Sequence, residues 1–91
     1  EAVTKPFTFG GARLLLNYAT SGAGALRGEI QDEAGQALPG FELASCTPLI
    51  GDEIEGQMCW GDRHDLAALA GRPVRLRLQL HDADLWALRF A

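Results

Sequence analysis

Apolar and polar residues alternate along most of the chain, and turn-forming residues interrupt the alternation at nearly regular intervals. Such alternation is typical of half-buried β-strands, because successive side chains point to opposite faces of a sheet. The pattern predicts seven strands, at residues 5–9, 12–20, 25–32, 41–43, 52–60, 73–80 and 84–90. Gly10-Gly11, "SGAG" at 21–24 and "HDAD" at 81–84 are predicted to turn the chain between neighbouring strands.

The segment "GDRHDLAALAG" at 61–71 is the one stretch that predicts a helix. Asp65 can cap a single helical turn and Gly71 can end it. A helix this short is not stable alone, so we expect it to plug one end of the core. Because no long helical pattern separates the strands, we predict an all-β fold. The expected architecture is an antiparallel β-sandwich of jelly-roll type, with about seven or eight strands and one short helical turn.

The alternation also predicts which side chains are buried. In the last strand Trp86, Leu88 and Phe90 share a face, and we expect that face to lie in the core with the leucines of residues 73–80. In the strand at 52–60 the inward positions are Ile54, Gly56, Met58 and Trp60. Three aromatic residues at strand ends or in loops are expected to be partly exposed at a rim: Tyr18, Phe41 and Trp60.

Length and composition indicate one globular domain, because the chain has 91 residues with 47% apolar and 22% charged residues. The strand-like pattern at both ends predicts a domain, residues 1–91, excised from a larger multidomain protein. A formal charge of -4 with scattered basic residues argues against a nucleic-acid partner. No apolar run approaches the length of a membrane span, so we expect no membrane partner. There is no recognisable signal peptide, which for an excised domain says nothing about the compartment.

Two adjacent His-Asp pairs, at 64–65 and 81–82, are the main catalytic candidates. Neighbouring residues on a strand point to opposite faces, so neither pair forms a dyad by itself. The chain has no GxSxG or HExxH motif and no glycine-rich phosphate loop. We therefore predict a protein that is not an enzyme.

Asp82 and Asp84 lie two residues apart in "HDAD", and two interpretations are open for them. Their carboxylates could help to hold a structural calcium ion, which takes oxygen ligands. Alternatively they form a tight turn, for which aspartate is well suited. Cys46 and Cys59 are also open, either as a disulfide or as two small buried apolar residues.

The outward positions of the predicted sheets carry arginine, glutamine and glutamate side chains. Planar polar groups of this kind bond the paired hydroxyls of sugars, and an aromatic ring can lie beneath the sugar. A solvated sheet face has the same composition, and that alternative is open. The candidate ligand-binding residues are Arg27, Gln31, Gln57, Trp60, Arg75, Arg77 and Gln79.

Four segments together resemble a known family: "ARLLLNYATSGAGALRGEIQDEAGQALPGFEL", "GDEIEGQMCW", "LAALAGRPVRLRLQL" and "DADLWALRF". They are similar to the β-sandwich accessory domain found C-terminal to propeller-type glycosidase-like proteins of bacteria, which themselves resemble sialidases and fructan hydrolases. The resemblance covers about residues 4–90. One departure is Trp86, where the family has an aromatic residue of tyrosine type.

The resemblance implies a non-catalytic domain of an extracellular or periplasmic protein. Comparable sandwiches are either carbohydrate-binding modules or structural domains that pack on the propeller without a ligand. The implied partners are a polysaccharide or oligosaccharide and the catalytic domain of the same parent chain. The resemblance also makes a structural calcium ion plausible, but it carries no sugar-contact residues over to this chain.

Overall fold

The computed structural model describes all 91 residues and contains one four-stranded antiparallel sheet. The strands are β1 (Ala2–Val3), β2 (Leu14–Gln31), β3 (Asp52–Gln57) and β4 (Arg75–Phe90), in the order β1-β4-β2-β3. Two single-turn 3-10 helices, Leu43–Ser45 and Ala67–Leu69, complete the regular structure. Neither helix has the length or hydropathy to cross a membrane. The all-β antiparallel class is confirmed, with four strands where seven or eight are predicted.

The smaller strand count arises because two predicted turns do not reverse the chain. β2 joins the predicted strands 12–20 and 25–32, and β4 joins 73–80 and 84–90. The two long strands pair along their length, and the register shifts where residues 21–24 of β2 lie opposite the single residue Asp82 of β4. Asp82 there has a positive φ of 47°, and the backbone of Gly24 lies against the Asp82 carbonyl, where a Cβ would not fit. The turn-forming residues therefore form a shared bulge.

The paired β2–β4 ribbon bends at this bulge. A straight strand of this length would span about 60 Å, because each residue adds about 3.3 Å. The longest dimension of the whole molecule is 35 Å. The segment after β3 contacts both halves of the bent sheet: the Met58 N–H donates to the Leu14 carbonyl at 3.0 Å, and the Trp60 indole N–H donates to the Gly28 carbonyl at 2.9 Å. The two halves of one sheet thus enclose the core between them.

The core is one cluster of 16 buried residues, and both halves of β2 contribute to it. Leu14 and Leu16 come from the first half, and Leu26 and Ile30 come from the second. Their even spacing is the predicted alternation, and the prediction that the leucines of 73–80 face inward holds for Leu76 and Leu78. Burial of these apolar side chains is the main stabilising contribution in a domain of this size.

The predicted helical turn is confirmed as a 3-10 turn at Ala67–Leu69. Asp65 accepts a hydrogen bond from the Ala67 N–H at 2.9 Å, and Gly71 leaves the turn with a φ of 82°. Leu66 and Leu69 insert into the core, so the turn closes it as expected.

The predicted first hairpin is wrong. Residues 5–9 form no continuous strand, and only Phe7 pairs there, with Val74. Pro6 lacks an N–H and so cannot donate to a sheet at that position. Instead of turning a hairpin, the backbone of Gly11 packs directly on Ala91 at the end of the chain. The short strand predicted at 41–43 is also absent, since Leu43 begins the first 3-10 turn.

Candidate functional site

Five of the seven predicted ligand-binding residues come together on the outer face of the second half of the sheet. The β2–β4 register pairs Arg27 with Gln79 and Gln31 with Arg75, and between them it pairs Glu29 with Arg77. Directly opposite residues of an antiparallel pair share a face, so these six side chains form one surface. We call this surface the arginine face. It consists of Arg27, Glu29, Gln31, Arg75, Arg77 and Gln79.

Hydrogen bonds within the chain occupy most of the arginine face. Glu29 is only 7% exposed, and its carboxylate accepts bonds from the Gln31 side chain at 2.9 Å and the Leu43 N–H at 3.0 Å. The Arg77 guanidinium lies 3.4 Å from Glu29 and 2.6 Å from the Glu1 carboxylate. Polar groups satisfied in this way gain little from a ligand.

Glu29 is the electrostatic centre of this face. Burial alone raises its pKa, but hydrogen bonds from Gln31, from the Leu43 backbone and from Arg77 outweigh the burial and leave the pKa lowered. The pKa of Arg77 is raised, chiefly by its hydrogen bond to Glu1. Their hydrogen bonds and opposite charges therefore stabilise the ionised forms of Glu29 and Arg77, as expected for a structural network.

The remaining predicted residues of the arginine face have fewer internal partners. Arg75 donates to the Glu33 carbonyl at 3.0 Å, whereas Arg27 and Gln79 line a shallow depression beside Leu43. Gln57 lies apart from all of these, because it pairs with Leu15 on the first half of the sheet. The structure therefore divides the predicted polar set between two regions.

Trp60 is buried, so the expectation that its ring stands at a rim is wrong. The residue is 4% exposed, and its indole N–H donates to the Gly28 carbonyl. The Trp60 and Phe41 rings pack edge to face, with their centroids 5.2 Å apart. The chain after β3 carries Trp60 between the two halves of the sheet, which a reading of isolated strands does not anticipate. Tyr18 and Phe41, the other two predicted rim aromatics, are buried as well.

The prediction that Trp86 is buried is also wrong, because the residue is 64% exposed. Asn17 pairs with Ala87 and Tyr18 pairs with Leu85, so Trp86 lies between them as an unpaired bulge residue. Leu85 packs against the core in its place. Leu88 is also exposed, whereas Phe90 is partly buried and stacks on Phe9 at 4.2 Å.

A matching bulge lies on the other side of β2. Leu16 pairs with Gly56 and Tyr18 pairs with Glu53, which leaves an extra residue on β3. Ile54, predicted to point inward, lies at this irregularity and is 78% exposed. The core position next to it is Gly56, whose missing side chain makes room for the ring of Tyr18. Both neighbours of β2 therefore carry an exposed apolar residue at the same level.

These two bulges border an open groove of about 570 Å³ on the first half of the sheet. β2 contributes Asn17, Tyr18 and Ala19, β4 contributes Trp86, and β3 contributes the segment 52–55. The groove continues past Asn17 toward Leu15 and Arg89, and past Ala19 toward Asp84. We call the whole depression the Trp86 groove. Concave sites with an apolar wall and a few polar groups are the usual form of ligand sites.

The Trp86 groove carries an excess of negative charge. Glu55 forms an ion pair with Arg89 across β2, and Asp82 lies 3.8 Å from His81 Nε2. The other carboxylates along the groove have no cationic side chain in ion-pair contact; they are Asp52, Glu53 and Asp84. Burial, and then the charge of Glu53, raise the pKa of Tyr18, so its hydroxyl stays protonated at neutral pH.

Asp82 and Asp84 do not gain a third acidic ligand. No group of three or more histidine, cysteine, aspartate or glutamate side chains lies close enough together to hold one metal ion. Calcium takes six to eight oxygen ligands, so the two carboxylates alone do not fit it and backbone oxygens would have to supply most of the site. The calcium site stays a prediction.

The two cysteines are free thiols. Cys46 is buried and accepts a hydrogen bond from the Gly28 N–H at 3.3 Å, and burial raises the pKa of its thiol. The disulfide interpretation is therefore not what the structure contains, and the alternative of two small buried apolar residues holds for Cys46, whereas Cys59 is half-buried.

No family model, no curated protein and no solved structure matches the chain. The resemblance to the accessory domain of glycosidase-like proteins therefore stays a prediction, and function has to be derived from the surfaces themselves. Sequence reasoning missed the Trp86 groove because it extended the alternation through "DLWALRF". The available signal was the run of four apolar residues at 85–88, because consecutive apolar residues break the alternation.

Proposed function

We propose that the chain is a non-catalytic carbohydrate-binding module, appended to a polysaccharide-degrading enzyme, and that it binds glycan in the Trp86 groove. The observation that supports this most is the exposed indole of Trp86 at the wall of a groove that also contains Asn17 and unpaired carboxylates. Tryptophan is highly buried on average, and exposed Trp86 shares this groove with exposed Ile54 and Leu88, which together form an apolar patch of the kind that marks an interaction surface.

The chemistry of the groove suits a sugar. An aromatic face packs against the C–H face of a pyranose, and Trp86 supplies it. Asn17 offers both an amide donor and a carbonyl acceptor, and Asp52 and Glu53 accept bonds from hydroxyl groups. A single module of this kind binds with about -4 to -8 kcal/mol, the millimolar to micromolar range. Attachment to a catalytic domain raises the effective substrate concentration.

We also propose that this all-β fold is a sandwich of jelly-roll type. Its support is the bend of the β2–β4 ribbon, which gives one sheet two facing halves around a core. An extracellular or periplasmic parent protein is part of the proposal, and its support is the resemblance to accessory domains of glycosidase-like proteins. Arg27 and Gln79 lie outside this groove and have no part in the proposed binding, and Trp60 has no role as a platform.

The second candidate is a structural accessory domain that packs against a catalytic propeller. Exposed Ile50 and Ile54 favour it, because exposed branched apolar side chains suit a protein interface better than a sugar. Trp86 would then be part of the docking surface.

Affinity electrophoresis distinguishes the two candidates. The domain is run in native gels that contain xylan, a soluble cellulose, starch or chitosan, beside Trp86→Ala and the control Ile50→Ala. A binding module is retarded by at least one polysaccharide, Trp86→Ala is not retarded, and Ile50→Ala behaves as the wild type. If no polysaccharide retards the wild type, or if Trp86→Ala is retarded equally, carbohydrate binding in this groove is excluded.

A further inference from the structure

The Trp86 groove is negative along its whole length beyond the Arg89 end. Asp52 and Asp84 both pair in register with Ala19, one on each side of β2, so the two carboxylates flank the groove floor. Glu53 lies next to Asp52, and neither these residues nor Asp84 has a cationic side chain in ion-pair contact. Arg89 is the one arginine that lines the groove, and it is already paired with Glu55.

This charge restricts what can lie against Trp86. An anionic glycan would bring its carboxylates or sulfates close to Asp52, Glu53 and Asp84 without a free cation to offset them. A cationic glycan gains on two counts, because its ammonium groups are attracted to the carboxylates and also to the face of an exposed indole. The short side chain of Ala19 leaves room for such a group between Asp52 and Asp84.

We propose that the groove selects glycans that carry protonated amino groups, with Trp86 stacking on the sugar ring and Asp52 and Asp84 pairing with the ammonium. The proposal rests on the carbohydrate-binding function above and names its substrate class. Polymers of glucosamine have this chemistry, whereas their N-acetylated forms are neutral and polygalacturonate is anionic. At about pH 6 the amine is protonated, because amines of this type titrate above that value.

Isothermal titration calorimetry at low salt tests this selectivity with three soluble hexasaccharides, namely the hexamers of glucosamine, N-acetylglucosamine and galacturonate. The glucosamine hexamer is expected to bind at least about ten-fold more tightly than the N-acetylated one. That preference should shrink as salt is added, because exposed charges are screened. No binding is expected for the galacturonate hexamer.

Paired variants separate charge from stacking. Asp52→Asn combined with Asp84→Asn should remove the preference for the amino sugar, and the matched control Asp62→Asn, an exposed carboxylate outside the groove, should keep it. Trp86→Ala should weaken binding of every glycan that the wild type binds. If the N-acetylated or galacturonate hexamer binds as tightly as glucosamine, charge selection is wrong while carbohydrate binding stands. If a broad polysaccharide panel shows no binding at all, both proposals fail.

Discussion

The two halves of the outer sheet surface differ in how their polar groups are used. On the arginine face a nearly buried Glu29 takes bonds from Gln31, Leu43 and Arg77, and the side chains hold each other in place. In the Trp86 groove, three carboxylates and an exposed indole have no such partners. β2 and β4 run through both regions, and β3 adds to the Trp86 groove alone, so the pairing of β2 with β4 does not decide which face is free to bind.

The difference shows that the density of charged residues is a poor guide to a binding surface. Arginine, glutamine and glutamate at alternate positions produce a self-satisfied network when opposite partners fall in register, as Glu29 and Arg77 do. The Trp86 groove is less conspicuous in sequence. Ala19 lies in register between Asp52 and Asp84 and offers them no partner, and the two bulges leave Trp86 and Ile54 exposed.

The two tryptophans should give the largest contrast in stability. Trp60→Ala removes a buried indole and leaves a cavity, so we expect a loss of about 3–5 kcal/mol in the free energy of unfolding. Trp86→Ala removes an exposed side chain and should cost no more than about 0.5 kcal/mol. Urea denaturation of both variants, with the milder Trp60→Phe beside them, measures the contrast. Equal losses for Trp60→Ala and Trp86→Ala would contradict the burial described here.

The next largest contrast in stability is expected between two glutamates, Glu29 on the arginine face and Glu55 in the Trp86 groove. Glu29→Gln weakens bonds to a buried carboxylate and should lower the free energy of unfolding by about 2–3 kcal/mol. Glu55→Gln breaks only the exposed pair with Arg89 and should cost less than about 1 kcal/mol. Chemical denaturation at neutral pH checks both variants. A larger effect at Glu55 would invalidate the assignment of the structural network to the arginine face.

Glu29 also gives the protein an acid-dependent component of stability. Its folded-state pKa is lowered, so its contribution is fully present above the ordinary glutamate pKa and is lost as the pH falls through the folded value. Thermal unfolding followed from pH 7 downward should therefore show a steeper loss of stability on the acid side in the wild type than in Glu29→Gln. Parallel curves for the two proteins would show that Glu29 has an ordinary pKa.

Two exposed arginines, Arg89 and Arg72, should give the smallest contrast. The pair of Arg89 with Glu55 lies over Leu15, which is buried although it points to the outer face. Arg89→Ala should lower the free energy of unfolding by about 0.5–1 kcal/mol, through lost packing of the arginine stem as well as the lost ion pair. Arg72→Ala, an exposed arginine in no ion pair, is the matched control and should be close to neutral. A neutral result for Arg89→Ala as well would mean that water, not Arg89, covers Leu15.

Several features of the fold were predictable from local pattern. The alternation at 25–32 and 73–80 correctly placed Leu26, Ile30 and Leu76 in the core, and the turn after Asp65 was predicted from its capping chemistry. These predictions hold because they depend only on period and on neighbouring residues.

The site was not predictable in the same way. Glycine and aspartate at 21–24 and 81–84 suit a chain reversal and a bulge equally well, and only the pairing partner decides between them. A one-residue bulge exchanges the faces of everything beyond it, which is why Trp86 and Leu85 exchange roles. Trp60 depends on a contact across the bent sheet, with Gly28, that no local pattern contains.

Two-dimensional ¹H–¹⁵N NMR gives a separate indole signal for each tryptophan and backbone signals for both halves of the sheet. On titration with the glucosamine and N-acetylglucosamine hexamers, the Trp86 indole and the amides of Asn17 and Ala19 should shift, while the Trp60 indole and the amides of Arg27 and Gln79 stay in place. Shifts confined to Arg27, Gln79 and their neighbours would contradict a glycan site in the Trp86 groove, and no shift with either sugar would contradict its selection of amino sugars.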